Sequence, residues 1–191
     1  MRVASICLGP LATNCYLIET DGATVLVDPA ESSERLHAFV GDRSVDIVVL
    51  THGHFDHIEG AWDFPGARVM IHAADLPFLD HARPDRPPID RSLCEGDIIA
   101  QTLTVLHTPG HSPGSVVLHA AGALFVGDLL FAGSIGRTDL PGGSLHEMNQ
   151  SLRRILELEG DLTVYPGHGE ITTLEKERRE NPFLTVVRSS D

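Results

Sequence analysis

The sequence predicts an α+β fold whose strand ends carry a polar site, and three observations lead there. The chain has 191 residues, 42% of them apolar, enough for one well-packed domain over 1–191. Its two halves echo each other as strand, hairpin and helix. Residues His52, His111, Asp128 and His168 each follow the carboxyl end of a predicted strand, the rim at which open sheets bind ligands.

Taken in order, Arg2–Leu8 and Cys15–Glu19 read as strands, and Asp21-Gly22 is a hairpin turn into Thr24–Val27. Asp28-Pro29 ends that hairpin. Asp28 either caps a helix starting near Ser32-Ser33 or steadies a neighbouring loop from behind. Asp46–Leu50 is a buried strand, Ile58–Trp62 suggests a helix starting near His57, Ala67–Ile71 is a strand and Ala74–Leu79 a short helix. Pro84, Pro87 and Pro88 mark an irregular loop, the best candidate for a lid or linker. Beyond Gly96-Asp97 the pattern is β-rich: Thr102–His107, then Ser115–His119 and Ala123–Val126 paired around Ala121-Gly122. That hairpin puts His111 and Asp128 at the same end of one ribbon. Ser144–Leu158 is an amphipathic helix with Leu145, Met148, Leu152, Ile155 and Leu156 on its packing face, and Leu162–Tyr165 is a strand ahead of His168.

The densest chemistry lies in Thr51-His52-Gly53-His54-Phe55-Asp56-His57. Protonated imidazoles this close would repel one another, whereas neutral imidazole and carboxylate suit a divalent ion, zinc above all. While the backbone stays extended after the strand, His52 and His54 point the same way. A helix beginning near His57 swings Asp56 and His57 toward a second point. The spacing is that of a two-pocket layout for two metals.

A net charge of −13 argues against a nucleic-acid surface, and Lys176–Arg179 alternates with glutamates as a solvated helix face would. Cys7, Cys15 and Cys94 are odd in number and widely spaced, which suits free thiols in the cytoplasm. Cys15 and Cys94 are expected to be small buried hydrophobes. The N-terminal apolar run is too weak for a signal peptide, and no stretch reaches transmembrane length. His107 is expected to be a satisfied structural side chain, and His37, His72, His81, His119 and His146 have no ligand-like neighbours.

Thr51–His57, His111, Asp128 and His168 resemble the motifs of the metallo-β-lactamase superfamily. Gly133–Asp139 and Glu180–Leu184 are similar to segments of its short bacterial glyoxalase II-like hydrolases. The resemblance implies a four-layer αββα sandwich with two divalent metal ions, zinc or else iron, at one edge of the sheets. It also implies a ligand set: His52, His54 and His111 for one ion, Asp56, His57 and His168 for the other, Asp128 between them. Superfamily β-lactamases lack a bridging aspartate where Asp128 stands, so antibiotic hydrolysis is not expected. Only 23 residues follow His168 in this sequence, so the C-terminal region with which longer glyoxalases grip glutathione is not expected here.

The expected reaction is hydrolysis of S-lactoylglutathione, or of a related small anionic acyl thioester, by water acidified between the metals toward a pKa of about 7. Asp56 is a ligand and a candidate catalytic group that orients this nucleophile or moves its proton. Arg137 is read as tying down its own Gly-rich loop, with a substrate carboxylate as the alternative partner. The competing functions are an iron-dependent persulfide dioxygenase and a non-catalytic binding protein.

Overall fold

Alternation along the strands sends successive side chains to opposite faces, and in a computed structural model describing residues 1–189 both faces of each large sheet are buried. The first sheet has the order β1 (Arg2–Leu8), β2 (Thr13–Glu19), β3 (Thr24–Val27), β4 (Ile47–Val49), β5 (Arg68–His72) and β6 (Arg91–Leu93). It is antiparallel through β3 and parallel from β3 to β6. The second sheet uses β7 (Ile98–Ile99), β8 (Leu103–His107), β9 (Val116–Ala120), β10 (Ala123–Gly127), β13 (Thr163–Pro166) and β14 (Thr172–Thr173) in the order β14-β13-β10-β9-β8-β7. Between β10 and β13 in sequence lie a small hairpin of β11 (Leu130–Phe131) with β12 (Ser134–Ile135) and a helix.

Tyr16, Ile18, Val25, Val27 and Val49 of the first sheet meet Val105, Val116, Leu118 and Phe125 of the second in a core between the sheets. The outward set of the first sheet, Leu17, Leu26, Val48 and Ile71, packs under helices α1 (Glu34–Val40), α2 (Phe55–Ile58) and α3 (Leu76–Ala82). The outward set of the second, Val117, Leu124, Val126 and Val164, packs under α4 (Leu145–Leu156), α5 (Leu174–Glu180) and α6 (Pro182–Ser189). The layers therefore run α, β, β, α, as the resemblance implied. No helix among the described residues is long and apolar enough to cross a membrane.

Side-chain caps fix three of the helix starts. Ser33, Ser144 and Thr173 each accept a hydrogen bond from a backbone N–H three residues on, in α1, α4 and α5. Four expectations need correction. The helix at His57 is a single turn and does not run on to Trp62, because the Gly60 N–H bonds Pro29 O at 2.7 Å and a Cβ there would lie 2.5 Å from Leu36. Leu145 is exposed, since it sits in the first turn of α4 before the helix reaches the sheet. Cys94 is also exposed, because it opens the turn whose N–H groups bond Asp97 and Val105 rather than facing a layer. The proline-rich loop joins α3 to β6 with Arg86 paired to Asp80 at 2.6 Å, and it lines no part of the large cleft described below.

Phe125 is fully buried, stacked on Tyr165 at 4.7 Å and edge-on to Tyr16 at 5.5 Å. Phe125→Ala should lower unfolding stability by about 3–5 kcal/mol. Urea denaturation checks this, and a loss near zero would mean that the inter-sheet core is not packed around this ring.

Candidate metal centre

Every predicted ligand stands just beyond a strand end or on the turn that follows. His52 comes three residues after β4, Asp128 directly after β10, His168 two residues after β13, and His111 on the loop between β8 and β9. The single turn α2 reverses the chain after His54 and carries Asp56 and His57. All seven converge. The groups His52, His54 and His111, then Asp56, His57 and His168, each have ligand atoms within 4.8 Å of one another, and a third group of His52, His57 and Asp128 joins them.

The hydrogen bonds settle which ring nitrogens face inward. Asp28 accepts from the Thr51 N–H at 2.8 Å and the Thr51 hydroxyl at 2.7 Å, so that hydroxyl is left to accept from His52 Nδ1 at 3.1 Å. Asp28 also accepts from His57 Nδ1 at 2.9 Å, the Arg137 carbonyl from His111 Nδ1 at 2.8 Å, and the Leu11 carbonyl from His168 Nδ1 at 3.1 Å. Four rings thus hold their protons outward on Nδ1 and turn Nε2 to the centre, as metal-ligating histidines do. His54 is the exception, aiming Nδ1 to within 2.9 Å of His111 Nε2. Of the two roles open to Asp28, the structure shows support from behind, since Ser33 caps α1.

Asp128 is the hinge between the sets. Its Oδ2 lies 3.5 Å from His111 Nε2 and 3.5 Å from His168 Nε2, and its Oδ1 lies 3.5 Å from His57 Nε2. Asp56 Oδ2 lies 3.2 Å from His168 Nε2 and accepts from the Thr13 hydroxyl at 3.4 Å. His52 Nε2, His57 Nε2 and Asp128 Oδ1 are buried and without a hydrogen-bond partner among the described residues. Buried polar atoms left so cost free energy, and divalent ions at this point would satisfy all three. The donor set of neutral nitrogen and carboxylate oxygen fits two such ions.

Charge divides the two sets. Burial, then the neighbouring imidazoles, hold His52 well below the usual histidine range, and burial with His111 brings His54 down to about 4. Burial also works against charging His57, but Asp128 and Asp28 outweigh it and raise this ring to about 9. His168 is raised chiefly by its hydrogen bond to Asp56. For Asp56 burial acts upward, yet the bond to His168 and the charge of His57 bring it down to about 2.

A cleft of about 1010 Å³ opens over the centre, bordered by His54, Asp56, His111, Asp128 and His168. Arg137 lines it with its guanidinium bidentate to Asp139 at 2.8 Å, the loop-tying role expected of it. His107 is the satisfied structural residue expected, bonded to Pro113 O at 2.8 Å and stacked on His72. His37 faces Asp63, and His146 lies against Gln150. His81 departs from expectation, because α3 presents it to the cleft.

Sequence reasoning missed Asp75. Fully buried, it accepts from the Gly53 N–H at 2.8 Å, the Ser112 hydroxyl at 2.7 Å and the Gly114 N–H at 2.6 Å, tying the two loops that carry His52, His54 and His111. It precedes Leu-Pro and resembles a helix cap, yet its side chain caps nothing in α3. Glu177 corrects the expectation of a solvated helix face over Lys176–Arg179, and Asn181, noted only within the Glu180–Leu184 resemblance, proves to have a structural role. Buried on α5 and at its end, they bond the backbone of the β11–β12 hairpin that forms one cleft wall.

Comparison with known proteins accords with this site. Residues 8–168 match the metallo-β-lactamase superfamily, and the chain belongs to it. It is similar to the hydroxyacylglutathione hydrolase GloC of Haemophilus influenzae, 33% identical with 96% of this chain and 98% of that protein covered. A solved structure of TTHA1623 in a di-iron-bound form is 40% identical, with a TM-score of 0.87 over 95% of this chain and 100% of that one. The structure of BLEG-1 B3 metallo-β-lactamase is 35% identical, with a TM-score of 0.85 over 96% and 100%. Family, hydrolase relatives and ligand cluster together support a metal-dependent hydrolase.

Asp75→Asn presents an amide N–H to groups that are themselves donors, and should weaken metal binding about 10–100-fold. Competition with a chromophoric chelator measures this, and an unchanged affinity would reduce Asp75 to a packing residue. A ligand nitrogen must lose its proton to bind a metal. His57, raised to about 9, carries one at pH 7, whereas His52 and His54 do not. Affinity at the His57 set should therefore climb with pH until about 9. Calorimetry of zinc binding at pH 7 in two buffers should show two steps, with the one lost in His168→Ala releasing more protons. Equal release in both steps would contradict this division of charge.

Proposed function

We propose that this chain hydrolyses a small acyl thioester, S-lactoylglutathione or a relative of it, at a centre of two divalent ions. His52, His54 and His111 would hold one ion, Asp56, His57 and His168 the other, and Asp128 both. The observation that carries this reading is the position of Asp128, within 3.5 Å of nitrogens from each set. Zinc suits the donors best and iron is the alternative, the latter favoured by the likeness to a di-iron protein.

Bound there, two such ions would acidify water and draw electrons from a carbonyl. The chain's own contribution is position and charge. Asp56, held near a pKa of about 2, stays an acceptor at neutral pH and can orient a water without releasing a proton to it. Thr13 and His168 fix its Oδ2. Water adds to the acyl carbon, the C–S bond breaks, and a carboxylate, a thiol and one proton result. Thiolate leaves without strong acid assistance, which matches a centre whose carboxylates are ionised. Similarity to GloC supports the thioester, and the free cysteines Cys7, Cys15 and Cys94 support a reducing compartment, the cytoplasm. The likeness to BLEG-1 favours a second reading, β-lactam hydrolysis, against the expectation from Asp128.

The test loads the protein with zinc or iron and follows thioester loss, β-lactam opening and oxygen uptake on glutathione persulfide in parallel. Thioester cleavage is expected, with about two ions per chain. In Asp128→Ala both metal content and rate should fall, the rate by at least about 100-fold. Oxygen uptake or β-lactam opening without thioester cleavage would transfer the site to another reaction.

A further inference from the structure

We infer that the thioester taken by this cleft is uncharged along its length and held by an apolar arm, so that a glutathione conjugate is a poor fit. The inference rests on the thioesterase reading and deepens it. Beyond the metal-facing residues, the walls are made by Leu11, Phe55, Phe78, Phe131, Ile135 and Leu140. These come from the loop before β2, from α2, α3 and the β11–β12 hairpin, and from the loop before α4, so apolar side chains reach the cleft from every wall, with His81, Ser134 and Arg137 the polar groups among them.

Two of them are conspicuously open. Leu11 is 52% and Phe55 58% exposed, placing two large apolar side chains at the mouth of the cavity that holds the chemistry. Exposed apolar surface of this kind is characteristic of ligand-binding grooves. An apolar arm laid between them would remove that surface from water and gain affinity in proportion to its area.

Glutathione brings the opposite chemistry. Its arm carries two carboxylates and an ammonium, and a carboxylate placed against apolar walls needs a cationic or hydrogen-bonding partner. Among the described lining residues the permanent cation is Arg137, and its Nε and Nη2 donors already serve Asp139. The chain's single lysine, Lys176, lies on α5 and does not line the cleft. A net charge of −13 adds a field that disfavours anions outside the centre.

The experiment uses zinc-loaded protein and two thioesters with the same acyl group, S-lactoylglutathione and the lactoyl thioester of benzyl mercaptan. The benzyl thioester should show kcat/KM at least tenfold higher, mostly through KM. Leu11→Lys keeps the backbone carbonyl that holds His168 and adds a cation to the mouth. It should lower KM for S-lactoylglutathione severalfold and raise it for the benzyl thioester. Equal or reversed preference in the unaltered protein, with both thioesters cleaved, overturns the inference and leaves the thioesterase reading standing. If neither is cleaved, the thioesterase reading falls, and calorimetric binding of benzyl methyl sulfide against S-methylglutathione decides the arm separately. Tighter binding of the sulfide supports an apolar arm, and tighter or equal binding of the glutathione derivative overturns it.

Discussion

Of the five imidazoles that share this small cavity, all but His54 have a ring proton held away from the middle by an acceptor. Here the acceptors that do this are Asp28, through both His57 and Thr51, and the backbone carbonyls of Arg137 and Leu11. Each acceptor comes from a different segment, so the electronic state of the site depends on the placement of distant chain. Asp28 itself sits at φ 49°, a conformation rare outside glycine though tolerated by aspartate, right after β3. The fold accepts that local cost where a buried carboxylate can meet the first and last residues of the Thr51–His57 turn.

The two sheets are joined by hydrogen bonds beside this cluster. Asn14 N–H bonds the Gly167 carbonyl at 2.7 Å, its side chain bonds Pro166 O and Gly169 O, and the Tyr16 hydroxyl bonds Pro166 O at 2.6 Å. The loop presenting His168 is thereby held by a strand of the opposite sheet. Gly167 is required in that loop, because a Cβ there would lie 2.2 Å from Asp128 Oδ1. Position in the site is therefore set by backbone contacts as much as by the ligands themselves.

Much of this was legible because it is local. Short apolar runs bounded by turn residues marked β2, β3, β9 and β10, and the spacing of His52, His54, Asp56 and His57 announced two pockets. Side chains whose roles depend on a partner far along the chain were not legible. Asp75 reads as an ordinary cap until folding brings Ser112 and Gly114 to it, and Glu177 reads as one more surface glutamate until the β11–β12 hairpin lies beneath it. His81 gave no signal, because its meaning lies in the direction α3 takes across the cleft. The two-residue strands β7, β11, β12 and β14 are too short to show a period at all.

The division of the ligands along the chain has a consequence for how the site is completed. The first half supplies His52, His54, Asp56 and His57, but the first trio is completed by His111 and the second by His168. Neither half owns a finished pocket. The first half carries three of the five imidazoles, yet the first pocket closes only with His111 and the second only when His168 docks beside Thr13. Completion of the whole centre is thus tied to docking of the chain beyond β13 and to neither half alone.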